Sequence, residues 1–212
     1  MLNLTSKLIS IEGIEGSGKS TLLTFLKASL PQQLPQYTPH FFREPGGTSL
    51  GEKIRGLLLD INLSRSTWAE VFLFLAARSE LIHQQLRPLL KKPNQLLILD
   101  RFFDSTLVYQ GYCQGLDVDA LRQLHQSDGL NVVPDITFYL RIDTKTSLAR
   151  QRHRGNAQDY FESWNEQKTK SLVHGFDELA KKDPDRIVTI DATQSEQEIQ
   201  TQVLSHLLKN FP

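Results

Sequence analysis

The sequence predicts an α/β fold, a five-stranded parallel sheet flanked by helices. Three observations carry this expectation. Five short apolar runs recur at wide intervals, amphipathic helical patterns lie between them, and four of the five runs end in charged residues. Continuous apolar runs are typical of strands buried on both faces. Strands alternating with helices imply parallel pairing through right-handed crossovers.

Leu8–Ile11 is the first run and precedes a Gly-rich loop. Lys19–Leu30 follows as a helix, apolar at Leu22, Leu23, Phe25, Leu26 and Leu30. Pro31–Pro39 is rich in Pro and Gln and is expected to be a plain surface loop. Tyr37–Phe42 is the second run, ending at Arg43. Leu50–Leu59 is the next helix, with Ile54, Leu57 and Leu58 on one face. Thr67 is expected to cap a long helix running through Leu86, with Glu70 completing a capping box. On that helix Phe72 and Leu75 are expected in the core, and Ala69–Gln85 is apolar on more than one face. Leu96–Leu99 leads into Asp100, Ile136–Leu140 into Asp143, and Arg186–Ile190 into Asp191. Thr144 or Thr146 is expected to cap a helix toward Arg150. Ser195 begins a last amphipathic helix through Ile199, Val203, Leu204, Leu207 and Leu208. There is no internal repeat, and 212 residues suit one domain spanning 1–212. Ligands of open α/β sheets bind beyond the carboxyl ends of the strands. Arg43, Asp100, Asp143 and Asp191 therefore mark where a site is expected.

Composition narrows the partners. Lys and Arg number 24, as do Asp and Glu, so the formal net charge is zero. That gives no bulk attraction to nucleic acid or membrane, and neither is expected as a partner. The single Cys113 excludes a disulfide framework and suits a reducing, cytoplasmic setting. It reads as a small half-buried side chain rather than a nucleophile. No apolar run reaches membrane-spanning length, and the first residues do not form a signal peptide.

Gly13-Ile14-Glu15-Gly16-Ser17-Gly18-Lys19-Ser20 has the spacing of a phosphate-binding loop, between a predicted strand and a predicted helix. Glycines let successive backbone N–H groups point inward at phosphate oxygens, and the helix that continues through Thr21 adds its N-terminal dipole. Lys19 is expected at the β- and γ-phosphates and the Ser20 hydroxyl on Mg²⁺. The loop implies ATP or GTP and phosphoryl transfer, and leaves the acceptor open.

Three further segments bear on the acceptor: Arg43-Glu44-Pro45-Gly46-Gly47-Thr48, Ala69–Arg78 on the long helix, and Asp100-Arg101-Phe102-Phe103-Asp104-Ser105-Thr106-Leu107-Val108-Tyr109-Gln110. Together they resemble the bacterial thymidylate kinase family, in order and over most of the chain, from Leu8 to Asp191-Ala192-Thr193. The resemblance implies a P-loop nucleoside monophosphate kinase fold, with Mg²⁺, ATP and dTMP as its ligands and a homodimer as its assembly. It implies that Arg101 holds the acceptor phosphate, with Arg43 near the same group. Phe74 would stack on thymine and Arg78, four residues on and hence on the same helix face, would bond its carbonyl. Pro45 would wall the other side of the base, Ser105, Thr106 and Gln110 would complete the acceptor pocket, and Tyr109 would crowd the sugar against a 2′-hydroxyl. Glu15 matches a carboxylate near the 3′-hydroxyl. Asp100 would serve the outer shell of Mg²⁺ or orient Arg101, and the turn at Asp191 would pack near adenine.

The family carries its catalytic arginine either inside the phosphate loop or in a lid. Position 16 is Gly, which implies the lid type, with Arg150, Arg152 and Arg154 as the cations and a lid over approximately 150–162. Such a cation contributes about 10³–10⁵ in rate in related phosphoryl transfers. The chain departs from the family just after this stretch: Tyr160 stands where an arginine is usual, between the retained Asp159 and Glu162.

Overall fold

The computed structural model describes residues 5–154, 160–161 and 164–211, the side chains of His153 and Arg154 excepted. All five expected strands form: β1 (Lys7–Glu12), β2 (Thr38–Arg43), β3 (Gln95–Asp100), β4 (Ile136–Arg141) and β5 (Ile187–Asp191). They pair in parallel in the order β2-β3-β1-β4-β5. The central strands β1, β3 and β4 are buried along nearly their whole length, as their unbroken apolar runs require. β2 lies at the sheet edge, where Pro39 and its missing N–H are tolerated.

The helices between them are α1 (Lys19–Gln33), α2 (Ser49–Leu59), α3 (Thr67–Leu81) and α4 (Arg87–Leu90), then α5 (Phe103–Thr106), α6 (Val118–His125), α7 (Thr144–Arg154), α8 (Glu166–Lys182) and α9 (Glu196–Asn210). π-helical turns at Ile82–Leu86 and Leu107–Cys113 continue α3 into α4 and extend α5.

Several local expectations are corrected. Ser66, not Thr67, caps α3: its hydroxyl accepts from Ala69 N at 3.2 Å, and Thr67 is already helical. Glu70 then falls one position too late for a capping box and turns inward. Asp143 caps α7, its carboxylate accepting from Thr146 N at 2.8 Å and Thr146 Oγ1 at 2.6 Å, in keeping with the stronger capping tendency of Asp. Pro31–Pro39 is no plain surface loop. α1 runs through Pro31 to Gln33, and Leu34 and Tyr37 are buried, Tyr37 against the Phe211 ring. Phe72 is 58% exposed and stacks on Trp68, because α3 commits Glu70, Val71, Leu75 and Arg78 to the interior and leaves position 72 on the opposite face. Leu75 is buried as expected. The helices α5, α6 and α8 were not anticipated. For α8 the signal was present: Asn165 caps it through Lys168 N, and Leu172, Phe176 and Leu179 repeat at helical spacing.

A buried ion pair braces the sheet from behind. Arg186, just before β5, grips Asp104 with two nitrogens at 2.7 and 2.9 Å, and donates to Thr137 Oγ1 at 2.8 Å. The Thr137 hydroxyl in turn meets Ser10 Oγ at 2.7 Å. Asp104 opens the segment that carries Ser105 to Gln110, so this pair fixes that segment against β1 and β4. Truncating one partner of a buried pair strands the other charge, at a cost of about 3–5 kcal/mol. Arg186→Ala is therefore expected to lose about that much stability in urea unfolding followed by circular dichroism.

Candidate active site

The phosphate loop leaves β1 at Glu12 and enters α1 at Lys19. Two of its glycines are dictated by contact as well as by conformation. A Cβ on Gly13 (φ 144°) would lie 2.7 Å from the Leu140 carbonyl oxygen, and one on Gly16 (φ 79°) would lie 3.0 Å from that of Ser147. Ser147 Oγ donates to the Glu15 carbonyl at 2.7 Å, so α7 rests directly on the loop. Lys19 Nζ donates to the carbonyls of Gly13 (2.9 Å) and Ile14 (3.0 Å). Burial, then the charge of Arg101, brings its pKa down to about 8. An anion in the loop would oppose both effects. Ser17 Oγ is buried and has no hydrogen-bond partner among the described residues.

On one side of the loop lies an open cavity, lined by Glu15, Lys19 and Ser20 from the loop and by Pro45, Phe74, Arg78, Arg101, Ser105, Thr106, Tyr109 and Gln110 opposite. These are the residues expected for the acceptor. Arg101 joins the two walls. It follows β3 in the left-handed region, at φ 64°, a sparsely populated conformation for a residue with a side chain. Its guanidinium donates to the Gly13 carbonyl (3.0 Å), Ser105 Oγ (3.3 Å) and Glu15 Oε1 (2.6 Å). Tyr109 donates its hydroxyl proton to the same Glu15 carboxylate, at 2.9 and 3.1 Å from its two oxygens. Burial alone would raise the Glu15 pKa, but Arg101, Lys19 and Tyr109 outweigh it and hold the group below the ordinary range. Beneath Arg101, the fully buried Glu12 accepts from Phe102 N at 2.7 Å and from Ser105 Oγ at 2.6 Å.

The far end of the cavity is built on α3 and the π-helical turn. Arg78 is 1% exposed; its Nε and one terminal nitrogen lie 2.7 and 2.6 Å from Glu44 Oε2. Its other terminal nitrogen donates to Thr106 Oγ1 (3.0 Å) and His125 Nε2 (2.6 Å). The second ring nitrogen of His125 lies 2.7 Å from the Leu121 carbonyl and so carries the proton, leaving Nε2 to accept from Arg78. Burial and the Arg78 charge push the His125 pKa down to about 3, so the ring stays neutral. The π-helical geometry lets Tyr109 and Gln110, neighbours in sequence, both line one cavity. Phe74 faces it as well, with its ring centroid 5.9 Å from that of Phe161.

A second cavity opens on the other side of the loop, lined by Gly16, Ser17, Gly18 and Thr21, by Arg150, and by Gln194, Glu196 and Ile199 from α9 and the turn before it. Asp191 is not among the lining residues. Its carboxylate accepts from Thr193 N and Oγ1 and shapes that turn. Arg150 donates to the Gly16 carbonyl at 3.2 Å, whereas Arg152 is exposed. The stretch is helical, which puts Arg150 and Arg154 on one face by register, the Arg154 side chain itself lying outside the described residues. Asp159 and Glu162 also lie outside them. Arg43 is not brought to the cavity: it is half exposed and paired with Glu52 at 2.8 Å.

The cavity also holds residues that sequence reasoning missed. Arg55 lines it and donates to the Pro45 carbonyl at 3.1 Å. Its signal was the pair Arg55/Leu59 at helical spacing, both on the lining. Phe161 lines it between Phe74 and Tyr109, and the aromatic cluster Tyr160, Phe161 and Trp164 after the arginine-rich stretch could have pointed there. Glu44, Glu12 and His125 act through the arginines and give no sequence pattern of their own.

Metal binding can be tested on the donors present. Asp100 Oδ1, at the end of β3, is buried and has no hydrogen-bond partner among the described residues, and Ser20 lines the cavity. Among the described residues no cluster of three or more His, Cys, Asp or Glu could hold an ion unaided. One carboxylate and one hydroxyl fit Mg²⁺, which keeps waters and shares phosphate oxygens rather than taking an all-protein cage.

Burial, then repulsion from Asp104, raises the Glu12 pKa to about 7, against the opposing pull of Arg101, Ser105 and Phe102. Between about pH 4.5 and 7 the unfolded chain gives up this proton while the folded chain keeps it, so this group's contribution to stability is full below pH 4.5 and is lost as pH rises to 7. Wild type should therefore lose on the order of 3 kcal/mol more than Glu12→Gln between pH 4.5 and 8 in urea unfolding. Parallel curves for the two proteins would refute the assignment.

Comparison with known proteins agrees with this geometry. The family model described as thymidylate kinase matches residues 11–203. The chain is similar to a protein named thymidylate kinase from Chlorobaculum tepidum, 37% identical over 208 residues, covering 94% of this chain and 96% of that one. A namesake from Kosmotoga olearia is 37% identical over 200 residues, with 94% of each chain covered. Among solved structures, the thymidylate kinase of Ehrlichia chaffeensis superposes with a TM-score of 0.74 at 32% identity, covering 95% of this chain and 98% of its own. With the matched segment spanning the phosphate loop, the Arg101 turn and the aromatic pocket, this chain belongs to the thymidylate kinase family.

Proposed function

We propose that this chain transfers the γ-phosphoryl group of ATP to the 5′-phosphate of dTMP, giving dTDP and ADP for dTTP synthesis. The observation that carries this most is Arg101, which reaches from the phosphate-loop carbonyl of Gly13 to the wall of the acceptor cavity. A donor fork at that junction suits the acceptor phosphate beside the incoming γ-phosphate. Arg55 is a second cation on the same lining. The acceptor oxygen is already anionic near neutral pH, so catalysis is positioning and charge neutralisation, with no general base required. Lys19 and Arg150 flank the loop from opposite sides and would meet the charge that develops on the transferring group. Arg152 and Arg154 would join Arg150 when the lid, about 150–162, closes over one continuous P-loop kinase domain and excludes water. Mg²⁺ held near Ser20 and Asp100 would supply further neutralisation of phosphate charge.

In this assignment Phe74 stacks on thymine with Pro45 opposite, Arg78 bonds the base carbonyl, and Thr106 and Gln110 complete the polar end. Glu15 receives the 3′-hydroxyl, and Tyr109, locked onto Glu15, closes the space a 2′-hydroxyl would need. Asp159 and Glu162 would contribute from the lid. Cys113, free and half-buried, suits a reducing cytoplasm. A steady-state assay with dTMP, dUMP, CMP and UMP tests the assignment. dTMP is expected to give the highest kcat/KM, and a clear preference for any other acceptor would overturn it.

We further propose a homodimer formed through α2 and α3. Leu50 and Leu57 on α2, and Trp68 and Phe72 on α3, are each 41–58% exposed, and the two helices pack side by side. An apolar face of this kind on paired helices suits an isologous contact with a second copy. Sedimentation should give a dimer for the wild type and a monomer for Phe72→Glu, and a wild-type monomer at micromolar concentration would rule it out.

A further inference from the structure

We propose that Glu70 is a positioning residue that sets base selectivity by fixing the orientation of the Gln110 amide; this rests on the assignment of the cavity to dTMP. Glu70 is 1% exposed, in the first turn of α3. Its Oε2 receives Arg65 Nε at 3.0 Å, in a pair whose side chains are 5% and 1% exposed. Arg65 is itself pinned. It donates to the carbonyls of Leu57, Leu58 and Leu63, and the Tyr160 ring lies 3.9 Å from its guanidinium carbon. Both oxygens of this carboxylate are thereby set to accept, one from Arg65 and the other from side-chain amides.

Its other oxygen, Oε1, lies 2.8 Å from Gln110 Nε2 and 2.6 Å from Gln114 Nε2. Gln110 is 1% exposed and lines the cavity. A neutral amide beside a water molecule or hydroxyl could turn over at little cost, because either end would find a partner. Beside Glu70 Oε1, which already accepts from Gln114, it cannot, since its carbonyl would then face a second acceptor. Gln110 is therefore committed with its NH₂ toward Glu70, and the carbonyl is left as its acceptor for the cavity.

The neighbouring Arg78 offers only donors. A donor beside an acceptor matches a base edge on which a carbonyl adjoins a ring N–H, as in thymine and uracil. Cytosine presents the reverse, an amino donor beside an unprotonated ring nitrogen. Against it, buried polar groups would be left mismatched on both sides, the situation in which hydrogen-bonding sites discriminate most strongly.

The test is the ratio of kcat/KM for dTMP to that for dCMP. Glu70→Gln replaces the accepting carboxylate with an amide that accommodates either orientation of Gln110. The ratio is expected to fall by about tenfold or more, the scale of one mismatched buried hydrogen bond. A merely structural role would lower both rates together and leave the ratio alone. Because Glu70→Gln leaves Arg65 buried without its partner, the double variant Arg65→Met/Glu70→Gln is measured alongside, replacing the charged pair with a neutral one of similar volume. An unchanged ratio in whichever of the two folds overturns the proposal. A wild type that itself prefers another acceptor would instead refute the dTMP assignment, so the two failures are distinguishable.

Discussion

The site depends on one strained turn. Arg101 must leave β3 in a left-handed conformation so that its side chain can double back to the phosphate loop instead of following the strand direction. A residue with a Cβ holds that conformation only where its surroundings over-determine it. Here they do. Its backbone N–H is fixed on the Ile11 carbonyl of β1, Glu12 holds the next backbone N–H and the Ser105 hydroxyl, and Glu15 holds the guanidinium. β1 and β3 are neighbours in the sheet, with Ile11 in register with Asp100. The donor loop and the acceptor pocket are thus attached to one another through a single pair of strands.

Buried ionisable side chains are the material of this arrangement. Glu12, Glu44, Glu70, Asp104, Arg78 and Lys19 are all nine-tenths buried or more, and each has a charged or backbone partner. Such pairs add little net stability compared with an apolar core. What they supply is direction. An arginine held at three corners can present its remaining edge in only one way, and an amide beside a carboxylate cannot turn over. The apolar core beneath, drawn from the central strands and the inward faces of α1, α3, α8 and α9, carries the stability that permits this.

The sheet was legible because its strands are buried on both faces, and unbroken apolar runs such as Leu96–Leu99 have no other simple explanation. The phosphate loop was legible for a different reason. Its glycines answer to backbone conformation and contact, so the spacing itself is the signal. Arg101 stood out at a strand end, whereas Phe74 and Arg78 were singled out by the family resemblance, their spacing giving only a shared helix face. Arg43 was misplaced for the same reason that made it attractive. It too ends a strand, but β2 is the edge strand, and Glu52 on α2 claims its side chain. The supporting roles of Glu12, Glu44, Glu70 and His125 were invisible to pattern, because each rests on a partner 34 to 93 positions away, which only the folded chain brings near. Phe72 shows the limit of periodicity on a helix apolar all round: the pattern gives the helix and not which face is buried.

Gly16 has a bearing on how α7 is seated. Its missing side chain is the space into which α7 settles, with the Ser147 carbonyl and the Arg150 Cβ within 3.0 and 3.4 Å of where a Cβ would stand. A side chain there would be strained by the left-handed φ of 79° and would need α7, with Arg150 on it, to give by a few tenths of an ångström. The close seating of the helix that carries Arg150 and the glycine in the loop are thus two sides of one contact.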